Sequence, residues 1–152
     1  MNSQEKAKVI FAENKKAHFD YEIIEEYEAG IKLYGEEVKS IRNWSINLKW
    51  SYVLIQKWYP YATGIHIGDY KWGIRIFEPK RERALLLKKS EIQRLEIKVK
   101  EMWATLIPMQ IYSKGNLIKL RIALAKGKKT WQKKESIKSR DLDREIARKF
   151  KL

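Results

Sequence analysis

Residues 104–125, ATLIPMQIYSKGNLIKLRIALA, contain two long apolar runs on either side of a short polar segment. Both runs are rich in Ile, Leu and other residues that suit a pleated, half-buried surface. The segment between them, Ser113-Lys114-Gly115-Asn116, has the composition of a tight turn. The pattern therefore predicts a β-hairpin that turns at these four residues.

Upstream of this hairpin the chain shows further strand patterns. In residues 18–35, HFDYEIIEEYEAGIKLYG, apolar and acidic residues alternate from Phe19, which predicts two strands with a bend or bulge at Ala29-Gly30. Residues 47–67, NLKWSYVLIQKWYPYATGIHI, predict two more strands, with Pro60 at an edge or a bulge. About six short strands favour a mainly β fold with peripheral helices, a small oligonucleotide-binding-type β-barrel that is partly open.

About three helices are expected around these strands. Residues 35–43, GEEVKSIRN, predict a short helix, and residues 90–102, SEIQRLEIKVKEM, predict a longer one that begins with a Ser90–Gln93 capping box. Residues 68–83 between them read as a loop that ends in a basic cluster. Residues 1–13 are expected to form a loose arm, and residues 127–152 a basic tail that is disordered when free and helical when bound.

Composition limits the possible functions. The 152 residues suffice for one domain with a core, the absence of cysteine excludes disulfides and thiolate chemistry, and no apolar run is long enough to cross a membrane. The start of the chain lacks the pattern of a signal peptide, so a cytoplasmic location is expected. The net charge of +14 indicates a polyanionic partner, for which nucleic acid is favoured over an anionic membrane surface.

Enzyme chemistry has weak support in the sequence. The spacing Glu37-x-Lys39, with Asp20 upstream, occurs in some metal-dependent nucleases, and this reading remains an alternative. The two histidines, His18 and His66, are both expected in strands and lack the spacing of metal ligands. We therefore expect no catalytic residues, no metal and no cofactor.

The tryptophans are expected to have two different roles. Trp58 and Trp103 are expected to pack in the core or to cover a sheet edge. Trp131 lies among lysines and has no apolar neighbours in sequence, which favours stacking on a nucleobase while the lysines bind phosphates. The alternative for Trp131 is a solvated tail without a function.

Six blocks of sequence, taken together, resemble the SsrA-binding protein family (small protein B), the bacterial partners of transfer-messenger RNA. The resemblance covers about residues 14–145, and it rests on the order and spacing of NKKAHFDYEI, EAGIKLYGEEVKSIR, HIGDYKWG, EPKRERALLLKKSEI, TLIPMQIY and IALAKGKKTWQKKESIKSRD. It implies a monomeric, non-enzymatic protein that binds the tRNA-like domain of transfer-messenger RNA and delivers it to stalled ribosomes. It also implies a body of residues 1–126 and a tail, residues 127–152, that enters the vacant messenger channel at the decoding centre. A generic single-strand-binding or small ribosomal protein is the remaining binding alternative.

The resemblance also assigns residues to these two roles. It implies RNA binding by Glu37, Lys39, Arg42, Lys80, Arg81, Arg83, Lys126, Lys128 and Lys129. It implies decoding-centre contacts by Trp131, Lys133, Lys134, Lys138 and Arg140. The chain departs from the family where glycine is usual, at Trp44, Ile97 and Trp103, and where an acidic residue is usual, at Trp50. The tail reads Gln132-Lys133-Lys134 in place of Asp-Lys-Arg, and lysine is a poorer bidentate partner than arginine.

Overall fold

The computed structural model describes residues 8–70 and 77–149, which form nine strands and four helices. In chain order they are β1 (Ile10–Glu13), α1 (Lys15–Asp20), β2 (Tyr21–Ile31), α2 (Gly35–Arg42), β3 (Ile46–Asn47), β4 (Tyr52–Gln56), β5 (Tyr59–Thr63), β6 (His66–Ile67), β7 (Arg83–Leu86), α3 (Lys89–Met102), β8 (Thr105–Lys114), β9 (Leu117–Gly127) and α4 (Thr130–Lys149). The mainly β class is confirmed, with four helices in the described part of the chain where about three were expected.

Six of the strands pair in a closed ring. The hydrogen-bonded order is β8-β4-β5-β7-β2-β9, and β9 pairs again with β8. All of these pairings are antiparallel. Strand β1 adds to the outside of β8, while β3 and β6 form a separate two-stranded sheet. This ring is the counterpart of the predicted small barrel.

The hairpin predicted from residues 104–125 is confirmed, and its strands, of 10 and 11 residues, are two of the three longest in the ring. Strands β8 and β9 are joined by Gly115 and Asn116, with Lys114 opposite Leu117. Gly115 has φ +61°, which glycine adopts without the steric penalty that a side chain imposes.

The hydrophobic core lies within the ring and extends to two helices. Buried side chains of β8 and β9 include Leu106, Ile111, Leu120, Ile122 and Leu124. Helix α3 adds Leu95 and α2 adds Ile41, both fully buried in the same cluster. Burial of each such side chain contributes roughly 1.5–3 kcal/mol, so the core fixes both helices against the ring.

The segment at residues 18–35 differs from its prediction. His18, Phe19 and Asp20 end helix α1, so the expected strand position of His18 is wrong, and β2 is one strand. The Asn14 side chain caps α1 by accepting a hydrogen bond from the N–H of Ala17 at 3.2 Å. This cap overrides the alternating pattern that begins at Phe19. The register shift of β2 falls between Ile23 and Glu25 rather than at Ala29-Gly30.

Two further expectations need correction, and a third lies partly outside the described residues. Helix α3 begins at Lys89, and the carboxylate of Glu91 accepts from the N–H of Lys88 at 3.3 Å, so the Ser90–Gln93 capping box is wrong. Trp58 and Trp103 were expected to pack in the core or to cover a sheet edge, but 54% and 92% of their surfaces are exposed. The predicted loop at 68–83 includes residues 71–76, which lie outside the described residues.

Trp103 ends helix α3 with φ +53°, in the left-handed region where a side chain collides with the backbone. Ile97, the other glycine-type position on this helix, lies in its interior. The backbone at position 103 therefore favours glycine, as expected from the resemblance, whereas the helical backbone at position 97 does not.

We expect Trp103→Gly to raise the free energy of unfolding by about 1 kcal/mol, because glycine adopts the left-handed conformation without the penalty of a Cβ. Urea denaturation followed by circular dichroism measures the change. The matched control is Ile97→Gly on the same helix, which should lower stability by about 1 kcal/mol. A fall in stability for Trp103→Gly would contradict this account of the helix end.

Candidate nucleic-acid interface

A buried carboxylate organises the surface around helix α2. Glu37 lies in the first turn of α2 and its side chain is fully buried. The carboxylate accepts from the backbone N–H of Tyr34 at 2.9 Å and from Nε of Arg83 at 2.6 Å. It also forms an ion pair with the guanidinium of Arg81. Arg81, in the segment before β7, and Arg83, the first residue of β7, are therefore both held to the start of α2.

Arg83 is fully buried as well and completes the connection. Its guanidinium donates to the carbonyl oxygens of Ile65 at 2.8 Å, Pro79 at 3.0 Å and Arg81 at 3.1 Å. Burial lowers the pKa of Arg83 from its ordinary value, and the charge of Glu37 acts in the opposite direction. Because Arg83 binds carbonyls on both sides of the loop, residues 79–83 are fixed beside α2.

Four basic side chains of this region reach solvent, and we call them the α2 basic face. Lys39, Arg42 and Lys80 are exposed and Arg81 is partly exposed. The guanidinium of Arg81 lies 4.1 Å from the centre of the Tyr34 ring, and Nζ of Lys39 lies 5.2 Å from that of Tyr70. The electron-rich faces of these rings attract the two cations.

Arg42 connects this face to the hairpin. Its guanidinium donates to the carbonyl oxygen of Asn116, in the β8–β9 turn, at 3.3 Å. The α2 basic face therefore adjoins the turn of the β8–β9 hairpin.

Three other predicted RNA-binding residues lie elsewhere, and we call them the β9-end cluster: Lys126, Lys128 and Lys129. In the register of the sheet Lys126 lies opposite Glu22, near the start of β2, and Nζ of Lys128 donates to the carbonyl of His18 at 3.1 Å. Helix α2 follows the other end of β2, which is 11 residues long. At about 3.3 Å per residue the two groups are roughly 30 Å apart along the strand. The sequence prediction had not separated them.

The tail residues lie on helix α4. Lys134 and Lys138 are exposed and four residues apart, so they share one side of the helix. The guanidinium of Arg140 lies 5.7 Å from the centre of the Phe19 ring, which brings α4 close to α1. The side chains of Trp131 and Lys133 lie outside the described part of the structure.

The arrangement that a metal-dependent nuclease would need does not form. The Glu37 carboxylate is already bound by two arginines, and Asp20 lies at the end of α1 rather than on a strand. Among the described residues no group of three or more His, Cys, Asp or Glu side chains could hold a metal ion. Within the same residues no helix is long and apolar enough to span a bilayer.

Sequence reasoning missed that Glu37 and Arg83 are buried, although one signal was present. Arg83 and Leu85 are the buried positions of β7, while Ala84 and Leu86 are less buried. Arg83 therefore shares the inward phase of the period-two alternation with a core leucine. An arginine in that phase needs a buried anion, and Glu37 supplies it.

We expect Glu37→Gln to lower the free energy of unfolding by about 3–5 kcal/mol, because it leaves the buried Arg83 without a counter-charge. Urea denaturation provides the measurement. Glu36→Gln is the matched control, since it removes a carboxylate from the same helical turn and should cost less than about 1 kcal/mol. Equal effects of the two variants would show that the buried ion pair has no special role.

Comparisons with known proteins bear on what this surface does. The family model described as "SmpB protein" matches residues 11–152. The SsrA-binding protein of Carboxydothermus hydrogenoformans is 49% identical, over 90% of this chain and 93% of the relative. That of Persephonella marina is 46% identical, over 93% of this chain and 94% of the relative.

A solved structure agrees with the sequence relatives. A chain from the structure described as "tmRNA-SmpB: a journey to the center of the bacterial ribosome" superposes with a TM-score of 0.68 at 38% identity. The match covers 84% of this chain and 94% of the other. The family model and the sequence relatives both span most of the chain, and the fold of a solved relative agrees with them: this chain belongs to the SmpB family.

Proposed function

We propose that the chain binds the tRNA-like domain of transfer-messenger RNA and delivers it to stalled ribosomes in trans-translation. The observation that carries the proposal is the match, over most of the chain, to relatives named SsrA-binding protein and to a structure of SmpB with transfer-messenger RNA. The net charge of +14 fits a partner that presents phosphates.

The α2 basic face is the proposed site for the tRNA-like domain. Lys39, Arg42, Lys80 and Arg81 offer cations to phosphates from two elements that the Glu37 ion pairs hold together. We assign Glu37 and Arg83 a positioning role, because both side chains are fully buried. Pre-ordered side chains lose less conformational freedom on binding, which favours one RNA shape over others.

The β9-end cluster is proposed as a second contact with RNA. Lys126, Lys128 and Lys129 lie where the body, residues 1–126, passes into the tail, residues 127–152. Because this cluster lies at the opposite end of β2 from α2, one protein can contact RNA at two separated places.

The tail is proposed to act in the messenger channel, where it forms the helix seen here as α4. Ile137, Leu142 and Ile146 on α4 are 45–57% exposed, so the helix buries little apolar surface against the body. Helical stability comes mainly from such packing, which supports a tail that is disordered when free and helical once bound. In that channel Trp131 would stack on a nucleobase, while Lys133, Lys134, Lys138 and Arg140 bind phosphates.

Several finer parts of the function follow from this proposal. The protein is a monomer that acts in the cytoplasm, performs no chemistry itself and uses no cofactor. A generic single-strand-binding protein shares the basic charge, and RNA selectivity distinguishes it from the proposed adaptor.

We expect the protein to bind transfer-messenger RNA at least about tenfold more tightly than an unrelated hairpin RNA of equal length, at about 150 mM salt. Phosphate attraction alone acts on both RNAs, so a preference reports recognition of a shape. Filter binding at one fixed salt concentration measures it. Equal affinity for the two RNAs would favour the generic binding protein.

We expect deletion of residues 130–152 to leave the affinity for transfer-messenger RNA within about twofold and to abolish tagging on stalled ribosomes in a reconstituted translation system. The cut follows Lys129, so it preserves the pairing of Gly127 with Tyr21 and the bond from the Lys128 N–H to the Asp20 carbonyl. Truncation that destroys RNA binding would refute the division between body and tail. Tagging that survives truncation would refute the role of the tail.

A further inference from the structure

Four of the five tryptophans that the structure describes share an unusual backbone conformation. Trp44, Trp50, Trp58 and Trp103 have φ of 66°, 65°, 73° and 53°, and Lys57 is the one other non-glycine residue of the described chain with positive φ. Only a few per cent of non-glycine residues have positive φ, so four such residues among five tryptophans are far more than chance predicts. The coincidence calls for a common cause.

Two of the positions are helix ends that glycine normally occupies. After α2, the N–H of Trp44 donates to the carbonyl of Ile41 and that of Ser45 to Ser40, both at 2.9 Å. This pair of bonds is the Schellman motif, in which Trp44 holds the left-handed position. After α3, the N–H of Ala104 donates to the carbonyl of Val99 at 3.2 Å, and Trp103 takes the same place.

The other two positions are turns with the same requirement. Lys57 and Trp58 connect β4 to β5, with Gln56 opposite Tyr59, and both have positive φ. A two-residue hairpin loop of this kind is a type I′ turn, whose preferred sequence is Asn-Gly. Trp50 is the third residue of a turn that the N–H of Ser51 closes on the carbonyl of Leu48 at 3.2 Å. A positive φ there is the mark of a type II turn with glycine.

The indole rings gain little that offsets this strain. They are 61%, 71%, 54% and 92% exposed in chain order, whereas tryptophan normally contributes by burying a large area. The Trp44 ring lies tilted against that of Phe11 with 5.4 Å between ring centres, and Nζ of Lys16 lies 3.7 Å from the centre of the Trp50 ring. Both are surface contacts, and each left-handed residue costs about 1–2 kcal/mol.

The low glycine content of the chain also favours glycine at these four positions. The chain has 7 glycines and 6 tryptophans in 152 residues. Glycine usually makes up about 7% of a protein, which the chain falls short of. If the four positions were glycine, the count would be 11 of 152 residues, which matches ordinary usage.

We infer that the codons at positions 44, 50, 58 and 103 are translated as glycine in the source organism. The chemistry of decoding offers a direct route, because the UGA codon is a stop signal in the standard code, tryptophan in some bacterial codes and glycine in others. The same gene then yields tryptophan or glycine at these positions according to the code that is applied. The inference rests on backbone geometry and is independent of the proposed RNA function.

Only tryptophans whose backbone has a positive φ are inferred to be glycine. Trp131 lies within α4, a helix in which glycine is unfavourable. Trp72 lies outside the described residues. For the four positions, the consequence is that their exposed rings are not an aromatic surface for stacking on RNA.

The gene gives the first test. We expect the codons at positions 44, 50, 58 and 103 to be UGA. If they are UGG, which specifies tryptophan in all of these codes, the inference is wrong.

Mass spectrometry of the protein from its native source gives the decisive test. Trypsin places the four positions in four separate peptides, residues 43–49, 50–57, 58–71 and 101–114. We expect each peptide to have the mass of its glycine form. Peptide 17–32, which contains Gly30 and no tryptophan, is the internal control and should have the mass of its given sequence. Tryptophan masses in the four peptides would overturn the inference.

Discussion

The buried ion pairs of Glu37 are the interaction on which the functional surface depends. They join the first turn of α2 to Arg83, the first residue of β7, and through its guanidinium to the carbonyls of residues 65, 79 and 81. Such a group is costly to desolvate and contributes little net stability compared with an apolar replacement. Its value lies in geometry, because it fixes a helix against two arginines that lie 44 and 46 residues away in sequence.

The ring of strands explains why this arrangement is possible. The long β8–β9 hairpin meets β2 on one side and β4 on the other, so the sheet closes and leaves the apolar face of each strand inside. Strand β7 enters the ring between β2 and β5, with Arg83 at its beginning and Leu85 in the core. At this rim Arg83 reaches the carbonyl oxygen of Ile65, in the connection between β5 and β6, and those of Pro79 and Arg81, in the segment before β7.

The elements that the sequence predicted correctly are those whose signals are local. The β8–β9 hairpin depends on a turn of four residues, and α2 and α3 on apolar residues at helical spacing, all of which lie within one short window. Helix α1 was missed because the cap at Asn14 outweighs the alternation from Phe19. The burial of Glu37 was missed because its partners lie 44 and 46 residues away, a distance that no periodicity reports. The resemblance to a family had grouped Glu37 with exposed lysines. Only the fold shows that Glu37 is buried and positions other side chains, whereas the lysines reach solvent.

The tryptophans show how backbone geometry can test a sequence. Their aromatic character had favoured burial for Trp58 and Trp103, which is a sound rule for side chains in general. The backbone at these positions instead follows the rule for glycine, since type I′ turns and Schellman helix ends require a left-handed residue whatever the side chain is. The surrounding hydrogen bonds are made by neighbouring residues such as Ser45, Ser51 and Ala104, so the turn is fixed independently of the indole. Each turn keeps its backbone hydrogen bonds although tryptophan is poorly suited to a left-handed backbone. This indicates that the fold was selected with another residue at the position, and glycine satisfies all four positions in this chain.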